Sequence, residues 1–302
     1  MYDIVIVGGG PAGLTAAVYG LRAGKSVLVV EKNSFGGQIA FSPKVENIPG
    51  TVQISGAAFA DALVEQAMHL GAEMELEKVV AVEKNDDHFL VRTEEGGSYE
   101  GRTVILAAGV KHRMLGLPGE EDLVGNGISF CAVCDGAFYT GQEVAMIGGG
   151  NSALQEALLL SEVCSKVTVV QNLADFTGEK KLSQALLEKD NVQVFFSTVV
   201  AGYETREGSL SGLRLRSEIT GQEQMLKVDG AFLAVGLMPE NDAFAHLAKL
   251  NPWGYFDSGE DCLTQTPGLF VAGDCRSKTI RQVVTAASDG AIAAMAACRY
   301  LD

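Results

Sequence analysis

The chain has 302 residues, 47% of them hydrophobic, and 23 Lys and Arg against 38 Asp and Glu give a net charge of −15. That length favours two domains, each with a sizeable core. The acidity, with a pI near 4.7, excludes nucleic acid and anionic membrane surfaces as natural partners. Met1-Tyr2-Asp3 runs directly into an apolar segment without a basic n-region or cleavage site, so no signal peptide is expected. The longest weakly polar stretch, 283–298, carries Ser288 and Asp289 and falls short of a membrane span, so a cytoplasmic protein is expected.

Taken in chain order, Ile4-Val5-Ile6-Val7 reads as a strand, Gly8-Gly9-Gly10-Pro11-Ala12-Gly13 as a turn, and the residues to about Ala23 as a helix closed by Gly24. A β-rich strand, 27–30, follows. A helix is expected from about Ala57 to Leu70, then strands over 74–82, 88–93 and 98–106 that alternate like an antiparallel set, with a turn at Glu95-Gly96-Gly97. The pattern then recurs. Val144-Ala145-Met146-Ile147 leads into Gly148-Gly149-Gly150-Asn151-Ser152-Ala153, a helix through Leu160, a strand at 167–170, a helix at 180–189, and strands at 192–196, 210–216 and 225–235. The two glycine turns start 140 residues apart, which marks an internal duplication of a dinucleotide-binding half. A last strand, 269–272, then Gly273-Asp274 and a long helix to Tyr300 would complete the first unit. The expected fold is α/β: two Rossmann-like, doubly wound, three-layer domains, with the second (113–241) inserted between segments 1–112 and 242–302 of the first.

The first turn satisfies GxGxxG at Gly8, Gly10 and Gly13: one glycine for the tight turn, one for close approach to a pyrophosphate, one for helix–strand packing. The following helix N-terminus offers free N–H groups to phosphate, and Glu31, 23 residues after Gly8, can bind ribose hydroxyls. The second turn reads GxGxxA at Gly148, Gly150 and Ala153, but its next strand ends in Val170-Gln171-Asn172-Leu173, with neither a carboxylate for a ribose diol nor an arginine for a 2′-phosphate. Between the turns lies Cys131-Ala132-Val133-Cys134-Asp135. A CxxC near βαβ patterns reads as a redox dithiol, helped by a helix N-terminus that lowers a thiol pKa, with Asp135 as proton donor or acceptor. Neither a second CxxC nor paired histidines complete a zinc set, so no metal is expected. Cys164, Cys275 and Cys298 read as buried, inert thiols.

The order GGGPAG, Gly36-Gly37-Gln38, Val45-Glu46-Asn47-Ile48-Pro49-Gly50, CAVCDG, GGGNSA and GDC…RQ resembles low-molecular-weight thioredoxin reductases from end to end. The resemblance implies an FAD-containing homodimer that passes electrons from NADPH through FAD and a redox disulfide to thioredoxin or a thioredoxin-like protein. By position it implies FAD contacts at Gly8, Gly10, Pro11, Ala12 and Gly13, at Glu31, Gly36, Gly37 and Gln38, and at Asn47, Gly109, Asp274, Arg281 and Gln282. It also implies nicotinamide-nucleotide contacts at Gly148, Gly150 and Ala153. Cys134 would face the flavin, Cys131 would attack the partner disulfide, and Asp135 would handle the proton. Relatives that use NADPH carry a histidine and two arginines directly after the second strand of the inserted domain, and a third arginine four residues beyond. Here Asn172, Leu173 and Thr177 stand in the arginine places. Each lost phosphate contact costs about 1.5–3 kcal/mol, so the donor stays open between NADPH, NADH and ferredoxin. Docking of an acidic ferredoxin would require Arg276, Lys278 and Lys180 to form a basic patch. A flavoprotein sensor or binding module with a nucleotide-free inserted domain is the other reading.

Overall fold

Alternation in the first strand divides its side chains between two apolar layers. Ile4 and Ile6 join a core with the helices, whereas Val5 and Val7 join a second core on the opposite face. The structure, a computed structural model, describes residues 1–42 and 45–302. Their contacts form two units: residues 1–42, 48–111 and 238–302 in one, residues 45–47 and 112–237 in the other.

The first unit starts with β1 (Tyr2–Val7), α1 (Pro11–Arg22) and β2 (Val27–Glu31). β2 is buried along its whole length, as suits a parallel strand covered on both faces. β1 and β2 run parallel, Ile4 beside Val27 through Val7 beside Val30. Proline at N1 pre-sets the start of α1. α2 (Gly56–His69) is capped by Ser55, whose hydroxyl accepts from Ala58 N at 3.1 Å.

The expected strand 74–82 is two strands. β3 (Glu73–Leu76) pairs in parallel with β2, and β4 (Val79–Lys84) pairs antiparallel with β5 (Phe89–Thr93). The break falls at Lys78, whose N–H is taken by Glu95 Oε2 at 3.1 Å and whose carbonyl accepts from Glu94 N at 2.8 Å. β6 (Ser98–Leu106) pairs in parallel with β1 and antiparallel with β5. The chain leaves this unit through β7 (Lys111–His112).

In the second unit, β8 (Ile128–Ser129) precedes α3 (Ala132–Asp135). β9 (Glu143–Ile147), α4 (Asn151–Val163) and β10 (Lys166–Val170) then repeat the opening of the chain. α5 (Lys180–Leu187) and β11 (Val192–Phe195) follow. β12 (Thr198–Arg206), β13 (Ser209–Ser217) and β14 (Glu223–Lys227) form an antiparallel sheet. β12 was not anticipated, although Thr198, Val200 and Gly202 alternate as buried positions. β15 (Gly230–Leu233) completes a parallel sheet ordered β11-β10-β9-β15-β8. The expected strand 225–235 breaks at Asp229, which exchanges hydrogen bonds with Glu143: Asp229 N to Glu143 O at 2.8 Å and Glu143 N to Asp229 Oδ2 at 3.0 Å.

β16 (Leu237–Met238) returns the chain to the first unit, where β17 (Leu269–Val271) pairs in parallel with β6. The final helix α6 (Val283–Leu301) lies on α1 through small residues. A Cβ on Gly290 would sit 2.1 Å from Ala12 O, so this crossing requires glycine. Among the described residues no helix is long and apolar enough to cross a membrane.

Candidate functional site

The glycines of the first turn separate into those the fold needs and one that leaves space. Gly8 has φ +110° and an added Cβ would lie 2.3 Å from Ala107 O; on Gly13 it would lie 1.9 Å from Gly8 O. On Gly10 the nearest atom would be Gly37 Cα at 3.9 Å, so the turn is open where α1 begins. Pro11 and Ala12 start that helix. Glu31, at the end of β2 and buried, accepts from Gly9 N at 2.7 Å and Asn33 N at 3.0 Å, which fixes its carboxylate beside the turn. Gly36 donates its N–H to Gly9 O at 2.7 Å, and Gly37 follows with φ +63°. The Gln38 side-chain amide donates to Val110 O. Gly109 adopts φ +66° with open space on its Cβ side. Asn47 is exposed and is assigned to the second unit, whereas the other residues of this set belong to the first.

On the C-terminal segment of the same unit, Asp274 sits in a single 3-10 turn, Gly273–Cys275. A Cβ on Gly273 would touch Ala12 Cβ at 2.9 Å, which places this turn beside the start of α1. Asp274 Oδ1 is buried and has no hydrogen-bond partner among the described residues. Burial pushes this carboxyl above its ordinary pKa, against the opposing pull of Lys278 and Arg281. Arg281 stacks its guanidinium over Tyr255 at 4.4 Å and reaches Asp274 O at 3.5 Å. Gln282 caps α6 in a reciprocal box with Thr285. An open glycine turn, a fixed carboxylate and an orphaned buried oxygen form a half-satisfied polar site. A dinucleotide with ribose hydroxyls and phosphates fits this donor set.

Cys131 and Cys134 are joined as a disulfide with Cα atoms 5.3 Å apart. The helix expected after them is one turn only, α3, so its dipole is small; the local amides do more. Cys134 N donates to Cys131 Sγ at 3.2 Å. Asp135 Oδ2 accepts from Ser129 Oγ at 2.6 Å, and the same hydroxyl accepts from Cys131 N at 3.2 Å, tying the acid to the dithiol turn. His112 stacks on Phe130, the neighbour of Cys131, at 4.4 Å between ring centroids. Burial lowers the His112 pKa to about 4, so the imidazole is neutral.

The second glycine turn copies the backbone of the first but not its side chains. Thr177 N donates to Gly149 O at 2.9 Å, as Gly36 does to Gly9 O. In the place of Glu31 stands Gln171, buried, with its amide donating to Asp175 O at 3.1 Å. A Cβ on Gly148 would lie 2.5 Å from Ala234 O, and one on Gly150 would lie 3.8 Å from Thr177 Oγ1. Ala153, in the first turn of α4, is fully buried. Asn172 and Leu173 are exposed, and Thr177 returns its hydroxyl to Gly149 O at 3.3 Å. Lys180 and Lys181 head α5, exposed, next to Glu179.

The family profile described as pyridine nucleotide-disulphide oxidoreductase matches residues 2–290. The chain belongs to that family. It is 37% identical to the thioredoxin reductase of Bacillus subtilis (strain 168) over 302 residues, covering 100% of this chain and 95% of the relative. It is 40% identical to the bifunctional thioredoxin reductase/thioredoxin of Mycobacterium leprae (strain TN), covering 66% of that longer protein. The crystal structure of thioredoxin reductase from Streptococcus pyogenes MGAS5005 superposes with a TM-score of 0.93 at 37% identity, covering 100% of this chain and 98% of that one. Family membership implies FAD and a pyridine nucleotide as redox partners.

Within this family fold, two features escaped the sequence reading. Arg276 and Lys278 do not form a surface basic patch: their side chains are 1% and 6% exposed and both bond the buried carboxylate of Asp289. Asp289 accepts from Arg276 Nε at 2.7 Å, Arg276 Nη2 at 2.8 Å, Lys278 Nζ at 2.9 Å and Gly273 N at 3.0 Å. Ser129 and Glu156, both bonded to the dithiol turn, carried no sequence signal. Cys164, Cys275 and Cys298 are buried, as is Cys262. Burial pushes Cys275 up to about 12, and its thiol donates to Ala272 O at 3.2 Å.

Proposed function

We propose that the protein is an FAD-dependent thiol–disulfide oxidoreductase that reduces thioredoxin or a thioredoxin-like protein through Cys131 and Cys134. The observation that carries this reading is the CxxC disulfide with an amide and an acid built around it. FAD would be held by Gly8, Gly10, Pro11, Ala12, Gly13, Glu31, Gly36, Gly37, Gln38, Gly109, Asp274, Arg281 and Gln282, and supplies two-electron redox chemistry when bound. The Cys134 N–H aimed at Cys131 Sγ favours a thiolate there, which supports Cys131 as the attacking sulfur. That thiolate breaks the partner disulfide and forms a mixed disulfide; Cys134 then displaces the partner and closes the 131–134 bond. Two electrons and two protons leave the pair and end on the partner's two thiols. Asp135, held by Ser129, moves one of those protons. The bifunctional relative, whose name joins the reductase to a thioredoxin, supports this partner.

For the donor, we propose a pyridine nucleotide without preference for the 2′-phosphate, so that NADH serves at least as well as NADPH. The lack of cationic groups at Asn172, Leu173 and Thr177 supports this. Ferredoxin loses support, since two of the three cations expected to receive it, Arg276 and Lys278, are buried on Asp289 and Lys180 alone is exposed. The resemblance supports a cytoplasmic homodimer, which sedimentation tests. Anaerobic titration of the flavoprotein with NADPH, NADH and reduced ferredoxin, followed by flavin bleaching, separates the donors. Tight, selective bleaching by NADPH, or bleaching by ferredoxin alone, refutes the NADH reading. A Cys134→Ser variant that still turns over thioredoxin refutes the dithiol mechanism.

A further inference from the structure

Glu156 lies in α4, the helix that begins at the second glycine turn, with Asn151 as its first residue. Its side chain points back to the dithiol: Oε2 accepts from Ala132 N at 3.1 Å. Ala132 is the first residue of α3 and lies between the two cysteines. We propose that Glu156 is a positioning residue for the redox pair, holding the Ala132 amide and setting how readily Cys131 ionises. This rests on reading Cys131–Cys134 as the exchanging pair.

The chemistry follows from charge placement. An anionic carboxylate bonded to the amide beside Cys131 opposes a second negative charge on that sulfur. A protonated Glu156 does not. Burial raises the Glu156 carboxyl to about 7, only partly countered by the Ala132 N–H, so both forms are populated near neutrality. The two groups therefore titrate as a coupled pair. The other titratable or charged groups on the elements packed against α4 are Asp135 on α3, Tyr139 on the turn after it, Glu143 on β9, Lys166 on β10, and Lys180 and Lys181 on α5. Asp135 is bonded to Ser129, and among the described residues only the Ala132 amide bonds Glu156. Glu156 thus links the start of the nucleotide helix to the reactivity of the dithiol.

The test uses the holoprotein reduced by excess dithiothreitol, freed of reductant and alkylated with iodoacetamide from acid to alkaline pH. Mass spectrometry follows the modification of Cys131. Wild type should show two ionisations, one near neutrality, that merge into a single, lower thiol step in Glu156→Gln. That variant keeps an acceptor for Ala132 N–H but loses the charge, so Cys131 should react about tenfold faster at neutral pH. Glu156→Ala should lose both the hydrogen bond and the ordered turn, and react without the neutral step. Asp135→Asn should retain the Glu156 step. A single ionisation in wild type overturns the proposal whatever the variants do, as does a two-step profile unchanged in Glu156→Gln. Alkylation needs neither thioredoxin nor flavin turnover, so this inference and the functional reading fail separately.

Discussion

Replacing Asp289 by alanine should be among the most damaging single changes in the first unit. The carboxylate is 3% exposed and bonds Arg276 at 1% and Lys278 at 6% exposure. Its removal leaves two buried cations without the carboxylate they bond, since the other bonded partner of Arg276, Glu260, is 87% exposed and largely screened by water. Breaking a buried pair costs about 3–5 kcal/mol. The Gly273 N–H loses its acceptor as well, at about 1–3 kcal/mol. Because these groups are neighbours the costs overlap, and about 5 kcal/mol is the expected total. That is a large part of the roughly 5–15 kcal/mol that keeps a protein folded. The pH dependence has a definite sign. Burial would raise the Asp289 pKa, but the bonds from Arg276 and Lys278 outweigh it and hold the carboxyl below its ordinary value. Its contribution is present above the unfolded pKa and is lost as pH falls through the lowered folded one. Urea unfolding of the flavoprotein, followed by far-UV circular dichroism, reads the cost. Glu260→Ala should change stability by less than about 1 kcal/mol. An Asp289→Ala loss of similar size would refute the argument. Joint replacement of Arg276, Lys278 and Asp289 by apolar residues should recover much of it.

Asp274→Ala should lower the flavin content of the purified protein and weaken FAD rebinding, measured by quenching of flavin fluorescence. Stability of the flavin-stripped protein should not fall, because Oδ1 has no partner to lose among the described residues. His112→Phe should flatten the stability profile between pH 4 and 6.5, where a histidine lowered to about 4 makes the folded state lose stability on acidification; a profile unchanged from wild type in thermal unfolding would contradict this. Leu173→Arg with Thr177→Arg should shift donor preference from NADH toward NADPH, at about 1.5–3 kcal/mol per charge-assisted contact, read as the ratio of kcat/KM values.

The residues that were legible in the sequence are those whose role is local. Gly8 and Gly13 announce their turn because the strand before and the helix after them are adjacent in the chain. Cys131 and Cys134 announce theirs because three residues suffice to bring the sulfurs together. Glu156 was silent because a lone carboxylate on an amphipathic helix is indistinguishable from one on a solvated face until its neighbours are placed. Arg276 and Lys278 misled for the same reason: two cations in a loop read as surface until Asp289, on α6, is placed beside them and all three side chains prove buried. The breaks at Lys78 and Asp229 depended on hydrogen bonds to distant residues, which periodicity does not register.

The second glycine turn carries this distinction furthest. Gly148 is required whether or not a nucleotide binds, since any side chain there would strike Ala234 O. The fingerprint therefore reports the backbone path of a strand, turn and helix, and a ligand only where side chains complete it. In the first unit Glu31 sets a carboxylate beside the turn and Asp274 Oδ1 lacks a partner among the described residues, which is the completion the proposed flavin site would use. In the second, Gln171 turns its amide to Asp175 O and Thr177 returns its hydroxyl to the glycine turn itself. Two turns of the same backbone thus differ in what they ask of a ligand. The difference lies in the side chains that follow each second strand, which is where donor selectivity must be tested.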